Sequence, residues 1–226
     1  MKGKLIVIEG IDGSGKATQA ELLKEKLKRL RCKTVYIDFP QYETSFFGAL
    51  TGRVLKGDFG DPAKLSPYLA SLSYAFDRFS ARDDIRDLLK MGYIVISNRY
   101  TSANEIHQGG KLKNPRKRDE FLSWLERLEF EELKIPRPDV VLYLDVPVSI
   151  VGGLIDSKKA RAYLSGKKRD GHEGNKKHLT AAARTARVLA RQRRDWVTIR
   201  CTENGGMLSK EVIAEKVWSV VKPLLK

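Results

Sequence analysis

A short run near the start of the chain has the residue types and spacing needed to hold a polyphosphate. Leu5-Ile6-Val7-Ile8 is apolar and β-branched, and it stops at a turn containing Gly10, Ile11, Asp12, Gly13, Ser14 and Gly15. Lys16, Ala17 and Thr18 then open a helical pattern. Glycines let the backbone reach positive φ and turn its N–H groups inward, which makes an anion nest. The helix beginning near Lys16 aims the positive end of its dipole at the same point, and the lysine adds a full charge. Strand, glycine-rich turn, lysine and helix come in the order that binding of a nucleotide's phosphates requires. One position departs from the pattern. The residue after the lysine is normally Ser or Thr, whose hydroxyl ligates Mg²⁺. Here it is Ala17, and a hydroxyl appears only at Thr18.

Other candidate groups follow along the chain. Phe39-Pro40 closes a second apolar run. Tyr74 and Arg78 are one helical turn apart and reach one face; the spacing also fits a core tyrosine and a surface arginine. Arg99 stands at the end of a third run, where α/β sheets present ligand sites, and its fork suits phosphate better than a lysine does. A structural ion pair is the other use for such an arginine. Asn104 and Gln108 follow on the next helix. Their amides match the edge of a pyrimidine, and helix capping or surface exposure fits equally well.

The elements that must position these groups alternate. Strands are expected at Leu5–Ile8, Lys33–Phe39, Tyr93–Ser97, Asp139–Asp145 and Trp196–Arg200. Helices are expected at Ala17–Leu30, Ser45–Leu55, Tyr68–Lys90, Thr101–Gly110, Arg116–Leu133, Lys176–Arg193 and Ser209–Leu225, and Val146-Pro147 opens another. Strand–helix–strand units give right-handed parallel crossovers, hence a five-stranded parallel sheet in a three-layer α/β/α sandwich. No linker or repeat interrupts the chain, so residues 1–226 read as a single domain.

Composition narrows the class. Hydrophobic content of 42% and charged content of 31% are those of a globular protein. No apolar run approaches the ~20 residues of a membrane span, and with the first strand so near the start no signal peptide is expected. Two cysteines, Cys32 and Cys201, make neither a disulfide framework nor a metal site, and a reduced cytoplasmic setting is expected. The net charge of +15 fits nucleic-acid binding, an anionic small substrate, or a basic solvated surface. Aromatics are not interleaved with the densest basic stretches, 158–169 and 184–194, which favours an anionic nucleotide over a specific nucleic-acid partner.

Taken together, the phosphate loop, Phe39-Pro40, Asp77-Arg78, Asn98-Arg99-Tyr100, Gln108-Gly109-Gly110, Pro136-Arg137-Pro138-Asp139 and a basic segment punctuated by Gly166, Gly171 and Gly174 resemble the thymidylate kinases over essentially the whole chain. The ordered set carries the resemblance, not one motif. It implies a P-loop nucleoside-monophosphate-kinase fold with sheet order 2-3-1-4-5, a homodimer packed through helices, and transfer of the γ-phosphoryl of ATP to dTMP with Mg²⁺. That order would set Cys32 and Cys201 near opposite sheet edges and argues against their pairing. ATP would lie on Gly10 to Thr18, with Lys16 on its phosphates. Asp12 would hold the acceptor's sugar hydroxyl and a phosphate-binding arginine, Arg99. Phe39, Pro40, Tyr74, Arg78, Asn104 and Gln108 would line the acceptor site, Tyr74 stacking on thymine. The segment at about 156–175 would be a basic lid. Gly13 stands where some members keep an arginine, so Arg161 or Arg169 would supply that charge.

Three positions depart from the family. Ala17 removes a metal-touching hydroxyl, Asn98 replaces an aspartate that supports the metal through water, and Tyr42 stands where many members place an arginine. Mg²⁺ would then rest mainly on phosphates and waters, with Asp12 or Asp145 assisting. Two alternatives follow: a related kinase with another nucleotide or deoxynucleoside acceptor, and a nucleotide-binding homologue with weakened catalysis.

Overall fold

The computed structural model describes residues 2–151 and 176–225. Five strands, β1 (Lys4–Glu9), β2 (Thr34–Asp38), β3 (Ile94–Asn98), β4 (Val140–Asp145) and β5 (Trp196–Arg200), form one sheet in the order β2-β3-β1-β4-β5. Every pairing in it is parallel. Helices surround it: α1 (Lys16–Arg29), α2 (Phe46–Lys56), α3 (Pro67–Ser80), α4 (Arg82–Lys90), α5 (Thr101–His107), α6 (Pro115–Glu126), α7 (Lys176–Gln192) and α8 (Lys210–Val221). Residues 148–151 are also helical.

The period-two rule of a strand separates two cores. Ile6 and Ile8 of β1, Ile94 and Ile96 of β3, and Leu142 and Leu144 of β4 pack on one face against Leu23 and Leu27 of α1 and Val217 of α8. Leu5 and Val7, Val95, Val141 and Tyr143 pack on the other against Ile85, Ile106 and Leu189. Buried on both faces, the inner strands are near-continuous apolar runs, as parallel strands require. In-register pairing brings the C-terminal ends of β1, β2 and β3 to one edge: Asn98 lies opposite both Ile8 and Asp38.

Three elements differ from the sequence-based expectation. The helix expected over Tyr68–Lys90 breaks at Ala81, where ψ reaches 0° and the N–H bonds Arg78 O, three residues back, at 3.2 Å. Alanine is a strong helix former, so nothing local announces the break; Ile85 of the second half packs into the sheet's core, while Leu69 and Phe79 of the first half stay exposed. The helix expected over Arg116–Leu133 ends at Glu126 and continues as a π-helical turn, Arg127–Glu132, which carries Glu129 fully inside. A two-residue hairpin, β6 (Thr202–Glu203) and β7 (Gly206–Met207), follows β5. Its turn is Asn204-Gly205, both at positive φ, the pair that a type I′ turn demands. The cysteines are free: Cys201 is buried just past edge strand β5 and Cys32 precedes edge strand β2.

Candidate active site

The phosphate loop has the expected backbone. Gly10, Gly13 and Gly15 have φ of 157°, 87° and 90°. A Cβ at Gly10 would meet Ser14 Oγ at 2.6 Å and Leu144 O at 3.0 Å, so the chain passes there only without a side chain. Gly15, in the left-handed region, is the residue on which α1 starts. Lys16 is buried, and its ammonium donates to Gly10 O at 2.8 Å and Ile11 O at 3.0 Å, with Asp12 Oδ1 at 3.9 Å. The charge therefore sits over the loop itself. Ala17 and Thr18 are exposed at the start of α1. Gly13 to Gln19 border an open groove of about 1000 Å³ that also takes in Asp38, Tyr42, Asn98, Arg99 and Met207.

Glu9 supports the loop from beneath. It is fully buried, accepts from Gly10 N at 2.9 Å and accepts from Ser102 Oγ at 2.7 Å. It thereby ties the first turn of α5 to the nest. An acid ending an apolar strand was the available signal for it.

Beside the groove lies a narrow slot. Asp12, Phe39, Pro40, Tyr74, Arg78, Arg99, Asn104 and Gln108, the acceptor residues expected from the resemblance, all line it. Tyr42, Leu55, Ala103 and His107 complete the wall. The slot is narrow, about 40 Å³. Phe39, Pro40, Tyr42 and Arg99 border both slot and groove.

Arg99 sits in the left-handed region at φ 64°, an uncommon conformation for a residue with a Cβ and typical of functional positions. Its N–H bonds Ile8 O at 3.1 Å and its carbonyl accepts from Ser97 Oγ at 2.6 Å. These bonds aim the side chain back across β1, where Nη2 donates to Asp12 and Nη1 meets His107 Nε2 at 3.0 Å. Asp12 thus lies between two cations, Lys16 on the loop side and Arg99 on the slot side.

Arg78 is neither a surface group nor a lone base-binder. It is 1% exposed and forms a two-pronged pair with Glu129, Nε to Oε2 at 2.7 Å and Nη2 to Oε1 at 2.6 Å. Asn104 Nδ2 reaches the same carboxylate and Ser71 O, each at 3.2 Å, binding α5 to α3. Gln108, 1% exposed, keeps its Oε1 without a protein partner at the slot wall. Asp77, beside Arg78, accepts from Gln41 N at 2.8 Å and holds the turn after Phe39-Pro40; burial raises its carboxyl above the usual range.

At the metal's expected place, Asn98 Nδ2 donates to Asp38 Oδ1 at 2.7 Å, and Asn98 Oδ1 is buried without a partner. Burial, and then the Asp38 charge, push the Tyr36 hydroxyl upward in pKa. Asp38, the in-register residue of β2, thus sets a carboxylate beside the Asn98 amide. Asp145 serves elsewhere: it accepts from Arg187 Nε at 3.0 Å. Arg161 and Arg169, with the segment at about 156–175, lie outside the described residues.

Sequence reasoning missed Glu9, Asp38, Glu129, His107 and His178. Glu129 and His178 are 51 and 71 residues from the groups they touch, and only the fold reveals such pairs.

A parallel sheet with a lysine-bearing glycine loop at its C-terminal edge, next to an arginine-lined slot, defines a P-loop phosphotransferase. Residues 8–212 match the family model described as thymidylate kinase, and the chain belongs to the thymidylate kinase family. It is 31% identical over 170 residues to the thymidylate kinase of Mycobacterium tuberculosis, covering 75% of this chain and 77% of that protein. It is 33% identical over 166 residues to a probable thymidylate kinase of Pyrococcus abyssi, covering 73% and 74%. The fold is that of a solved thymidylate kinase from Candida albicans, with TM-score 0.74 and 21% identity over 98% of this chain and 92% of that one.

Proposed function

We propose that this chain, acting as one domain, transfers the γ-phosphoryl of ATP to dTMP, giving dTDP for dTTP synthesis. The observation that carries the reading is the shared border: Arg99 lines both the open groove over the phosphate loop and the slot. Two anions entering from the two sides would meet at that residue. Phosphoryl transfer asks for positioning and positive charge rather than covalent help. The loop N–H groups and Lys16 would hold the donor phosphates. Arg99 would hold the acceptor phosphate, and Asp12 fixes its fork. Tyr74 would stack on thymine. Arg78, stiffened by Glu129, and Asn104 would face the polar edge of the base. The unpaired Gln108 Oε1 is suited to accept the imide N–H of a thymine.

The residues at the metal's place fit Mg²⁺ held through water. Asn98 Oδ1 has no protein partner, and Asp38 brings a carboxylate beside it. Asp38 and Asn98 would hold the ion's waters; when bound, Mg²⁺ neutralises charge on the phosphate oxygens. On sequence alone, Arg161 and Arg169 in a basic lid at about 156–175 are the further cations of this reading.

We also propose a cytoplasmic homodimer. Phe46 and Leu69, 80% and 67% exposed on α2 and α3, are large apolar side chains that a second copy would cover. No helix among the described residues is long and apolar enough to cross a membrane.

A coupled assay of ADP release with dTMP, dUMP, CMP and thymidine in Mg²⁺ separates the readings. Preference for dTMP is expected. Preference for another acceptor would make the chain a related kinase, and ATP binding without turnover of any acceptor would contradict a kinase.

A further inference from the structure

Arg99 is held from two sides, and the second side is unusual. Beyond the contact of its Nη1 with His107 Nε2, His107 Nδ1 lies 3.2 Å from Nε2 of His178, near the start of α7. Both imidazoles are buried. Their planes differ by 18° and their centroids stand 5.4 Å apart. Rings so separated, with nitrogens so close, are not face to face. They are nearly coplanar and touch edge to edge, as an N–H···N hydrogen bond requires.

The chemistry gives this contact a direction. A guanidinium only donates, so His107 Nε2 must offer a lone pair. A neutral imidazole carries one proton, so that of His107 resides on Nδ1 and is donated to His178 Nε2. The proton of His178 is then on its Nδ1. Charging His107 would set an N–H against the arginine's own. We propose that His107 and His178 are positioning residues: a directed chain, Arg99 to His107 to His178, that fixes the plane of the acceptor-side fork and ties it to α7.

Asp12 holds one nitrogen of a side chain rich in rotamers. Two anchors fix the plane, and two-pronged phosphate recognition depends on that plane. The chain has three histidines, and two of them are spent here.

The inference rests on the reading that Arg99 receives the acceptor phosphate, and the test has two independent arms. The first is ¹⁵N-imidazole NMR of the whole protein at neutral pH, which needs no turnover. His107 is expected neutral, protonated on Nδ1 and bare on Nε2. The second is steady-state kinetics of His107→Phe, His107→Gln and His178→Phe. His107→Phe is expected to lose about tenfold in kcat/KM for dTMP, the size of one hydrogen bond to a charged group, with KM for ATP unmoved. His178→Phe is expected to lose about threefold, the size of a weaker neutral bond. His107→Gln, whose amide accepts and donates in the same order, recovers most of the loss. A His107 protonated on Nε2, or a His107→Phe protein with ordinary dTMP kinetics, overturns the chain while the kinase stands. A wild-type protein that phosphorylates no acceptor overturns the kinase reading, and the NMR arm still decides the tautomer.

Discussion

The two halves of the active site are built from different materials. The donor half is mostly backbone: three glycines at positive φ, the amides between them and a lysine folded onto its own loop. The acceptor half is mostly side chains, and several are held by a second side chain from elsewhere. Asp12 and His107 hold Arg99, Glu129 holds Arg78 and Asn104, and Asp77 holds the turn at Gln41. A backbone cradle suits a ligand common to many enzymes, since it reads only phosphate. A slot of paired side chains can discriminate, because each unsatisfied polar group penalises the wrong base.

This contrast can be broken at several points. Glu129→Leu should have the largest effect. It leaves Arg78 buried beside an apolar group, and breaking such a pair costs ~3–5 kcal/mol. Urea unfolding should report that loss, and the surviving folded protein should bind dTMP poorly while keeping its affinity for ATP. Arg99→Lys replaces a two-anchored fork by a point charge. Its kcat/KM for dTMP should fall about a hundredfold, near the value of a lost transition-state donor. Near-normal turnover would make Arg99 a structural residue.

Gly15→Ala addresses the other half. Nothing lies within 4 Å of the new Cβ, so the cost is conformational only, ~1–2 kcal/mol for a left-handed alanine. If the free loop relaxes out of that conformation, binding must restore it, so KM for ATP should rise roughly tenfold while KM for dTMP should not move. Equal effects on both substrates would blur the division between the halves.

Glu105, on the outer side of α5, provides a control away from both. It is buried and paired with Arg193 at 2.8 Å, and burial lifts its carboxyl to about 7 from 4.5. The folded state therefore holds the proton more tightly than the unfolded chain. The stability linked to this group is full below pH 4.5 and is lost as pH rises toward 7. Glu105→Gln should flatten that fall in denaturation curves taken across the window. The smallest effect is expected from Ala17→Ser, which restores a hydroxyl at the start of α1. It should lower the half-saturating Mg²⁺ about twofold, on the order of one weak hydrogen bond. An unchanged value would show that position 17 does not face the metal.

What the sequence reveals divides along the same line. The loop is legible because strand, turn and helix lie within one short stretch, and glycine spacing states the backbone conformation directly. Strand positions and their parallel direction follow from apolar runs and crossover rules, and the sheet order from the family resemblance. Arg99, Tyr74, Asn104 and Gln108 are legible as groups, since strand ends and helical spacing bring them to one edge. Their partners are not. Glu129 reaches Arg78 only through a π-helical turn, and helical spacing alone places it wrongly. The break at Ala81 has no local residue to announce it. His178 meets His107 across a helix–helix contact between α5 and α7. Asp38 takes on meaning only once β2 and β3 pair in register. Local physics writes the donor half, and tertiary packing writes the acceptor half.

The most direct measurement is ³¹P NMR of the whole protein with Mg²⁺, ATP and dTMP. The β-phosphate resonance of dTDP is expected to grow in step with ADP, at equal amounts, with little free phosphate. ADP and inorganic phosphate without dTDP, or no change in ATP, would contradict the kinase reading.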